Sequence, residues 1–427
     1  MAVSRKILVV SHFGAVGELC KRMMCEGNQV KFHIKDPHSK DINDGLIKKV
    51  PAWEPHVDWA DLIIFDDTNF GKIIEGLRAD GKAVVGGCIY TDKLEMDRGF
   101  GQEEMRKAGM TILPDWTFKN MDEAIRFIQK NPGRYVLKPN GVASDEKVLT
   151  YVGKSEDGSD AVAMLENYKK RWAGKIHDIQ IQTFAKGVEV AIGGFFNGKD
   201  FIQPTFINFE YKKLMDGDLG PNSGEVGTTA YWAESPKLFK ETLAKMVKPL
   251  AKSGYTGYMD VNTICTKEAC YPLEFTPRFG YPTIWLQVDS IKSKMGDFLE
   301  AVASGKRFNL DTDSGFQLAV VAAVHPYPFE DPKAFGKYSS EKTLEFSNPE
   351  MDGIYLSDVK RVDGEWKLAG NSGYAAICVG KGQTMEEAKA EAYKRVKTIQ
   401  LPDVFYRTDI GSHWHKDRDR LQTWGWM

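Results

Sequence analysis

Apolar and polar positions alternate most regularly between residues 255 and 283, YTGYMDVNTICTKEACYPLEFTPRFGYPT. The alternation breaks at Thr266, Lys267 and Glu268, resumes, and ends in a loop rich in Pro, Arg and Gly. This pattern predicts a β-hairpin running into a loop. Residues two apart on a strand point the same way, so Asp260 and Asn262 share a face of the first strand and Glu274 and Thr276 a face of the second. The beginning of the chain has a different rhythm. A short apolar run, KILVV, is followed by SHFGAVG and a helical pattern over 18–26, the strand, loop and helix that open a parallel α/β unit. Strands over 29–34, 62–65 and 83–85, with a helix over 72–79, extend it into an open, mostly parallel sheet.

Between these regions a helical pattern covers 91–108, with Thr91 as its cap. A compact unit follows: a helix over 121–129, strand YVLKP, a polar loop, strand VLTYVG and a helix over 160–169. IQIQTFAKGVEVAIGGFF reads as one alternating strand, and 210–229 as a long loop dense in Gly, Asn and Ser. After the hairpin a strand FQLAVVAAV leads into HPYP, where His325 reads as a turn histidine. From about residue 340 the segments GIYLSDV, WKLAGN, YAAICVG, MEEAKAEAYKRVKTI and FYRTDIG predict a small β-rich domain closed by one helix.

A chain of 427 residues is too long for one core and predicts three or four packed units. A formal charge of −2 argues against general nucleic-acid binding. No apolar run reaches membrane-spanning length and MAVSRKILVV enters a strand directly, which together predict a cytoplasmic protein. Cysteines 20, 25, 88, 265, 270 and 378 lack CxxC spacing and a nearby His at zinc-site spacing, so reduced, mostly buried thiols are expected. His413 and His415 lack a third ligand.

Asp260, Asn262 and Glu274 offer oxygen ligands from neighbouring strands, the donor set a magnesium ion takes when phosphate and water fill its other positions. Arg278 offers a bidentate guanidinium to a transferring phosphate or an acyl phosphate. A solvated surface hairpin would carry the same charges. Lys138 ends an apolar strand, where a buried ammonium is expensive unless it meets an anion. The glycine-rich stretch at 210–229 exposes backbone amides beside an acidic pair, suited to a small zwitterion or an acyl phosphate. Gly14 and Gly17 suit either a phosphate at a helix N-terminus or a plain strand-to-helix turn.

Taken in order, these segments resemble the glycinamide ribonucleotide synthetase (phosphoribosylamine–glycine ligase) family of ATP-grasp ligases. LEFTPRFGYPT is similar to the family's IEFN-RFGDPE through Glu274, Arg278, Phe279, Gly280 and Pro282, with Thr276, Tyr281 and Thr283 replacing its Asn, Asp and final Glu. EYKKLMDGDLGPNSGEVG resembles DHKRxxDGDxGPNTGGMG through Lys212, Asp216, Gly217, Asp218, Gly220, Pro221, Asn222, Gly224 and Gly227, with Glu225 in place of a glycine. Arg98 falls where a nucleotide-phosphate lysine is usual. VLKPNGVASDEKV resembles VIKADGLAAGKGV, keeping Lys138 and moving the lid lysine to Lys147. IQTFAKGVEV resembles the adenine hinge (Gln182, Phe184, Ala185) and the ribose carboxylate (Glu189). The last domain matches through Ser372, Gly373, Ala388, Ala392, Tyr393, Tyr406, Arg407, Asp409, Ile410 and Gly411, with Ala375 replacing an arginine. Of the family's GSGGREH loop only Gly14 survives, its Arg, Glu and His falling on Ala15, Val16 and Gly17.

The resemblance implies an α/β (α+β) protein of ATP-grasp fold: an N-terminal parallel α/β domain over 1–90, an ATP-grasp domain over 91–335 with 120–185 as its lid, and a C-terminal β-rich domain over 336–427. It implies a carboxylate–amine ligase that uses ATP and Mg2+ (or Mn2+) and works through an acyl phosphate on small-molecule substrates, an amino acid and an amine. Arg278, Asp218 and Lys138 would be catalytic. Arg98, Lys138, Lys147, Gln182, Phe184, Ala185 and Glu189 would hold the nucleotide, and Glu274 with Asn262 and Asp260 the metal. Gly14, Lys212, Asn222, Ser223, Gly224 and Arg407 would meet the substrates. Because charges are lost mainly at positions facing the amine, either the amine acceptor differs from phosphoribosylamine or the family reaction persists with remodelled contacts. A catalytically silent ATP-binding protein is the remaining reading.

Overall fold

The computed structural model describes residues 4–140, 149–172, 174–348 and 350–427. Lys147 lies outside the described residues. The N-terminal strands form a parallel sheet in the order Gln29–Ile34, Lys6–Ser11, Leu62–Phe65, Val84–Val85. Their alternate residues go to opposite faces. Ile7, Val9 and Ile64 pack with Leu19 and Met23 of the helix Gly17–Cys25, while Leu8, Val10 and Ile63 pack with Ile74 of the helix Gly71–Ala79. Coverage on both faces is why these strands read as unbroken apolar runs.

The pattern at 91–108 resolves into two helices, Ile89–Met96 and Arg98–Lys107, where one was expected. Asp97 causes the break: its backbone is extended and its carboxylate accepts from the Phe100 amide, capping the second helix. Thr91 lies inside the first helix, its hydroxyl accepting from the Cys88 amide. The new start places Arg98 at a helix N-terminus facing the cleft.

The segment expected as a lid is an antiparallel sheet in the order Asp115–Phe118, Asp178–Thr183, Tyr135–Asn140, Tyr151–Val152. Its own core includes Ile128, Leu137, Leu165 and Ile181. The single strand expected over 179–196 is divided: Asp178–Thr183 belongs to this sheet and Val188–Phe196 to the next. The chain changes sheets at 184–187, where Gly187 is needed because a Cβ would come 2.4 Å from the Cys265 carbonyl oxygen.

An eight-stranded antiparallel sheet forms the centre, in the order Cys270–Thr276, Gly257–Cys265, Val188–Phe196, Phe201–Met215, Leu219–Ala233, Phe316–Ala323, Tyr374–Gly382, Ile354–Leu356. The stretch at 210–229 is therefore a long hairpin in place of the expected loop. Gly217, at φ +69°, makes its turn, and register shifts after Tyr211 and Lys213 absorb the irregular residues into the ladder.

Two strands of the C-terminal region extend the central sheet, and Val359–Val362, Glu365–Leu368, Thr343–Phe346 and Ile399–Gln400 form a sheet of their own. Two helices pack there, Met385–Val396 and Trp414–Thr423, where one was expected. Among the described residues no helix is long and apolar enough to cross a membrane. All six cysteines are free thiols, and all but Cys25 are buried.

Candidate active site

The 255–283 hairpin forms as its alternation predicts, with Asn262 opposite Glu274 and Asp260 opposite Thr276. Its first strand pairs with Val188–Phe196, setting Ile264 against Glu189, and the next strand carries Asn208, Glu210 and Lys212. Period-2 geometry thus gathers polar side chains from adjacent strands on one face of the sheet. The Asn262 amide donates to Glu210 at 2.8 Å, and the Lys212 ammonium lies 2.6 Å from Glu189 and 3.2 Å from Glu210. Burial raises the Glu210 pKa, with Lys212 opposing it. Burial works against the Lys212 charge too, yet Glu189, Glu210 and Glu274 hold its pKa well above the usual value.

Of the expected metal ligands, Glu274 is exposed to the cleft, while the Asn262 side-chain oxygen is shielded from solvent and has no hydrogen-bond partner among the described residues. Asp260 lies deeper: the Asn208 amide and the Tyr258 hydroxyl each donate to one of its oxygens at 3.0 Å. Burial, reinforced by Glu210, raises its pKa to about 7. Asp260 therefore supports this face from below. No group of three or more His, Cys, Asp or Glu side chains converges on a metal position among the described residues. A magnesium ion sharing phosphate oxygens needs only one or two protein ligands, and the Glu274 and Asn262 oxygens fit that donor set.

The lid supplies the opposing wall. Lys138, on Tyr135–Asn140, donates to the Gln182 side chain at 2.8 Å. Burial and then the charge of Arg98 lower its pKa to about 8, with Glu274 opposing. Burial also lowers the Arg98 pKa against the pull of Glu274. Beside them a cavity of about 530 Å³ is lined by Arg98, Gln102, Thr117, Asp178 and Glu274, among others. Phe184 and Ala185 occupy the link between the two sheets. The Phe184 amide bonds the Arg134 carbonyl at 2.9 Å, and its ring lies 3.5 Å from the Arg134 guanidinium.

Arg278 turns toward the N-terminal sheet, donating to Glu95 at 2.8 and 3.1 Å and lying 3.3 Å from Asp67. Glu95, three residues before Arg98, is committed here. Tyr281 reaches Asp66 at 3.4 Å, and Asp66 also accepts from the Ser11 hydroxyl and the His12 amide. Gly14, at φ +86°, gives its amide to Ser11 at 2.8 Å. It shapes the turn and presents no free amide to a substrate.

Asp218, expected to be catalytic, and Arg407, expected at the substrates, are not brought into this cluster. The Arg407 side chain is 0% exposed. It binds Asp409 at 2.7 and 2.8 Å, Asp218 at 3.0 Å and the Lys213 carbonyl at 2.9 Å. Asp218 sits at the hairpin turn with His413 3.4 Å away. Together they staple the hairpin to the C-terminal segment. Asn222, Ser223 and Gly224 lead from that turn back toward the cluster: Asn222 is opposite Lys213, and Ser223 donates to the Lys212 carbonyl at 3.0 Å. Glu210 and Asp66 were missed by the sequence reading. Glu210 stands two positions before Lys212, the signal for a shared face, and Asp66 follows the end of a parallel strand, where such sheets collect ligands.

Residues 96–284 match the phosphoribosylglycinamide synthetase ATP-grasp (A) domain and residues 317–413 match the C domain of the same enzymes, together well over half the chain. The chain belongs to the phosphoribosylglycinamide synthetase family. It is 29% identical to a phosphoribosylamine–glycine ligase of Streptococcus pneumoniae, over 95% of this chain and 99% of that one. The solved structure of a phosphoribosylamine–glycine ligase from Thermotoga maritima aligns with a TM-score of 0.73 at 22% identity, covering 95% of this chain and 100% of the other. A Campylobacter jejuni biotin carboxylase aligns with a TM-score of 0.64 at 12% identity, over 98% and 97% of the two chains. These structural likenesses show an ATP-grasp fold. As a phosphoribosylglycinamide synthetase family member the protein is an ATP-grasp ligase forming C–N bonds, with a parallel α/β sheet before the ATP-grasp core and further strands after it.

Proposed function

We propose that the protein phosphorylates the carboxylate of an amino acid with ATP and joins the resulting acyl group to a small amine, in the manner of a phosphoribosylamine–glycine ligase. The observation that carries this reading is the meeting of two sets of groups across one cleft: Lys138 and Arg98 on the lid side, and Glu274, Asn262, Glu210 and Lys212 on the sheet. A magnesium or manganese ion on Glu274 and Asn262 supplies charge neutralisation for the triphosphate. Lys138 and Arg98 position the phosphates, and the hinge at 182–185 receives the adenine. The carboxylate oxygen attacks the γ-phosphorus and ADP leaves. Arg278 steadies the acyl phosphate, and the amine nitrogen attacks its carbonyl carbon, expelling phosphate. The reaction belongs in the cytoplasm, where both nucleotide and amine are available.

One observation favours an amine other than phosphoribosylamine. The loop at 11–17 has lost its charged residues, and the carboxylate of Asp66 lies beneath it, bonded to Ser11 and His12. A phosphate placed there would meet an acidic side chain, whose ionisation it would oppose further, and none of the charged residues of the family's loop. The deciding measurement is ADP release with magnesium and ATP, supplying glycine with phosphoribosylamine generated in place, and in parallel a panel of other amino acids and amines. Turnover only with glycine and phosphoribosylamine identifies the family reaction. Turnover with another pair makes the remodelled loop a change of acceptor. ATP binding without turnover on any pair refutes the ligase reading.

A further inference from the structure

Two departures from the family's sequence meet in space. Position 283 carries Thr where the family's RFGDPE ends in Glu, and position 225 carries Glu where its GPNTGG has Gly. Thr283 opens the helix Thr283–Ser290, and Glu225 lies on the strand Leu219–Ala233. The Thr283 hydroxyl is 3.3 and 3.4 Å from the two carboxylate oxygens of Glu225. The two positions are thus in contact although 58 residues separate them in the chain.

The surroundings of Glu225 call for a cation. Its carboxylate accepts from Thr228 and Thr283, and no Lys, Arg or His among the described residues forms an ion pair with it. Burial and then the nearby charge of Glu210 raise its pKa well above the usual carboxylate value, with Asp260 adding to the effect. The Tyr327 hydroxyl donates to the Glu225 carbonyl at 3.2 Å, and the Tyr327 and Tyr374 rings stack 5.5 Å apart. The Tyr374 hydroxyl is shielded from solvent and has no hydrogen-bond partner among the described residues. Burial raises its pKa well above the usual value, and the charges of Tyr327 and Glu225 add to that. Thr228 and the more distant charge of Lys212 oppose the rise at Glu225. Even so, a buried hydroxyl and a carboxylate held by hydroxyls alone among the described residues are costly unless a polar ligand joins them. Asp218, expected to be catalytic, is taken by Arg407 and His413.

We propose that Glu225 seats the α-ammonium group of the amino-acid substrate and selects amino acids over simple carboxylic acids. This rests on the ligase reading above. The seat lies beside Thr283, on the segment that also carries Arg278, so one short stretch of chain spans the ammonium and acyl-phosphate ends of the substrate.

Hydroxylamine, used as the nucleophile in place of the unidentified amine, separates the two readings, because it traps the acyl phosphate as a hydroxamate. Wild-type protein with ATP and magnesium is expected to convert glycine and to discriminate against acetate, which has the same carboxylate and no ammonium. Glu225→Gln should raise the glycine KM by about 30-fold, the loss expected for one charge-assisted hydrogen bond, while the ATP KM stays within about threefold. Discrimination between glycine and acetate should shrink by a similar factor. Glu225→Gly should behave likewise, and adding Thr283→Glu to it should recover about tenfold by returning the carboxylate from the opposite wall. A merely structural role gives no such rescue. An unchanged glycine KM in Glu225→Gln, or no rescue by Thr283→Glu in a variant that still binds ATP, overturns the seat. Wild-type hydroxamate from acetate as readily as from any α-amino acid overturns the seat and leaves the ligase standing. No hydroxamate from any carboxylate overturns both.

Discussion

On the nucleotide side of the cleft, Lys212 lies 2.6 Å from Glu189 and 3.2 Å from Glu210, and Lys138 and Arg98 both feel the charge of Glu274. On the amine side, the donors to Asp66 and Glu225 among the described residues are hydroxyls and an amide: Ser11, His12 and Tyr281 for one, Thr228 and Thr283 for the other. The first arrangement is electrostatically closed before any ligand arrives, so nucleotide phosphates and metal enter by exchange with existing partners. The second is incomplete and is satisfied by a ligand that brings its own positive charge. The two sides share the central sheet, which carries Glu225 as well as Glu210 and Lys212, and differ in their other walls, the lid and the helix Arg98–Lys107 in one case and the 11–17 and 278–283 segments in the other. Substrate choice can therefore be retuned with the phosphate chemistry left in place.

The contrast is broken most directly on the nucleotide side. Lys138→Ala and Glu274→Ala should each abolish measurable ADP formation, a loss of about 3 kcal/mol or more of transition-state stabilisation. Near-normal turnover in either variant would remove that side from the chemistry altogether. A smaller effect is expected at the junction of the two sides. Arg278→Lys keeps a charge for Glu95 and Asp67 and loses the planar fork, so kcat should fall by about 100-fold with the ATP KM little changed. A rise in the ATP KM with unchanged kcat would instead place Arg278 among the nucleotide contacts.

How much of this was legible in the sequence depended on whether position or partnership was at stake. Strand alternation placed Asp260, Asn262 and Glu274 correctly, because period 2 fixes a face whatever the tertiary context. The same rule applied at 210–229 was overruled by composition: Gly217, Gly220 and Gly224 suggested a loop, whereas they serve the turn and bends of a hairpin held by thirty-residue-scale pairing, strand against strand. Asp97 was legible as a cap but was hidden inside a continuous helical periodicity. Side-chain partnerships were the least legible. Glu95 sits three residues before Arg98 and binds Arg278, 183 residues away, and Thr283 finds Glu225 across 58 residues. No local pattern encodes such contacts, since they arise when separate elements pack.

Arg407 tests the boundary of the site at a lower level of effect. Its buried side chain joins Asp409 and Asp218, so Arg407→Met should lower stability by about 2 kcal/mol, less than a fully buried pair because Asp218 is half exposed. Urea unfolding reads this loss, and ATP and glycine KM values should stay within about threefold in the folded variant. A fall in turnover as deep as that of Lys138→Ala, with unchanged stability, would bring Arg407 back to the substrate and extend the active site to the hairpin turn.

The smallest expected effect bears on the floor of the amine side. Burial and then the charge of Asp67 raise the Asp66 pKa to about 7, from 3.8 for an ordinary aspartate. Below the lower value both folded and unfolded chains hold the proton and the group contributes nothing. Between the two values folding takes up a proton, so the contribution of Asp66 becomes steadily less favourable as pH rises, and above about 7 the whole penalty remains. Asn keeps an acceptor oxygen for the His12 amide, can donate its NH2 to the Ser11 hydroxyl oxygen, and does not titrate. Asp66→Asn should therefore stabilise the protein at pH 8 by about 1 kcal/mol or more, and by distinctly less at pH 5. Urea unfolding of both proteins at the two pH values checks this. If the stabilities instead run parallel from pH 5 to pH 8, Asp66 does not change its charge on folding. Its carboxylate is then ionised in the resting protein with a counter-charge close by, and the amine side would be as electrostatically closed as the nucleotide side.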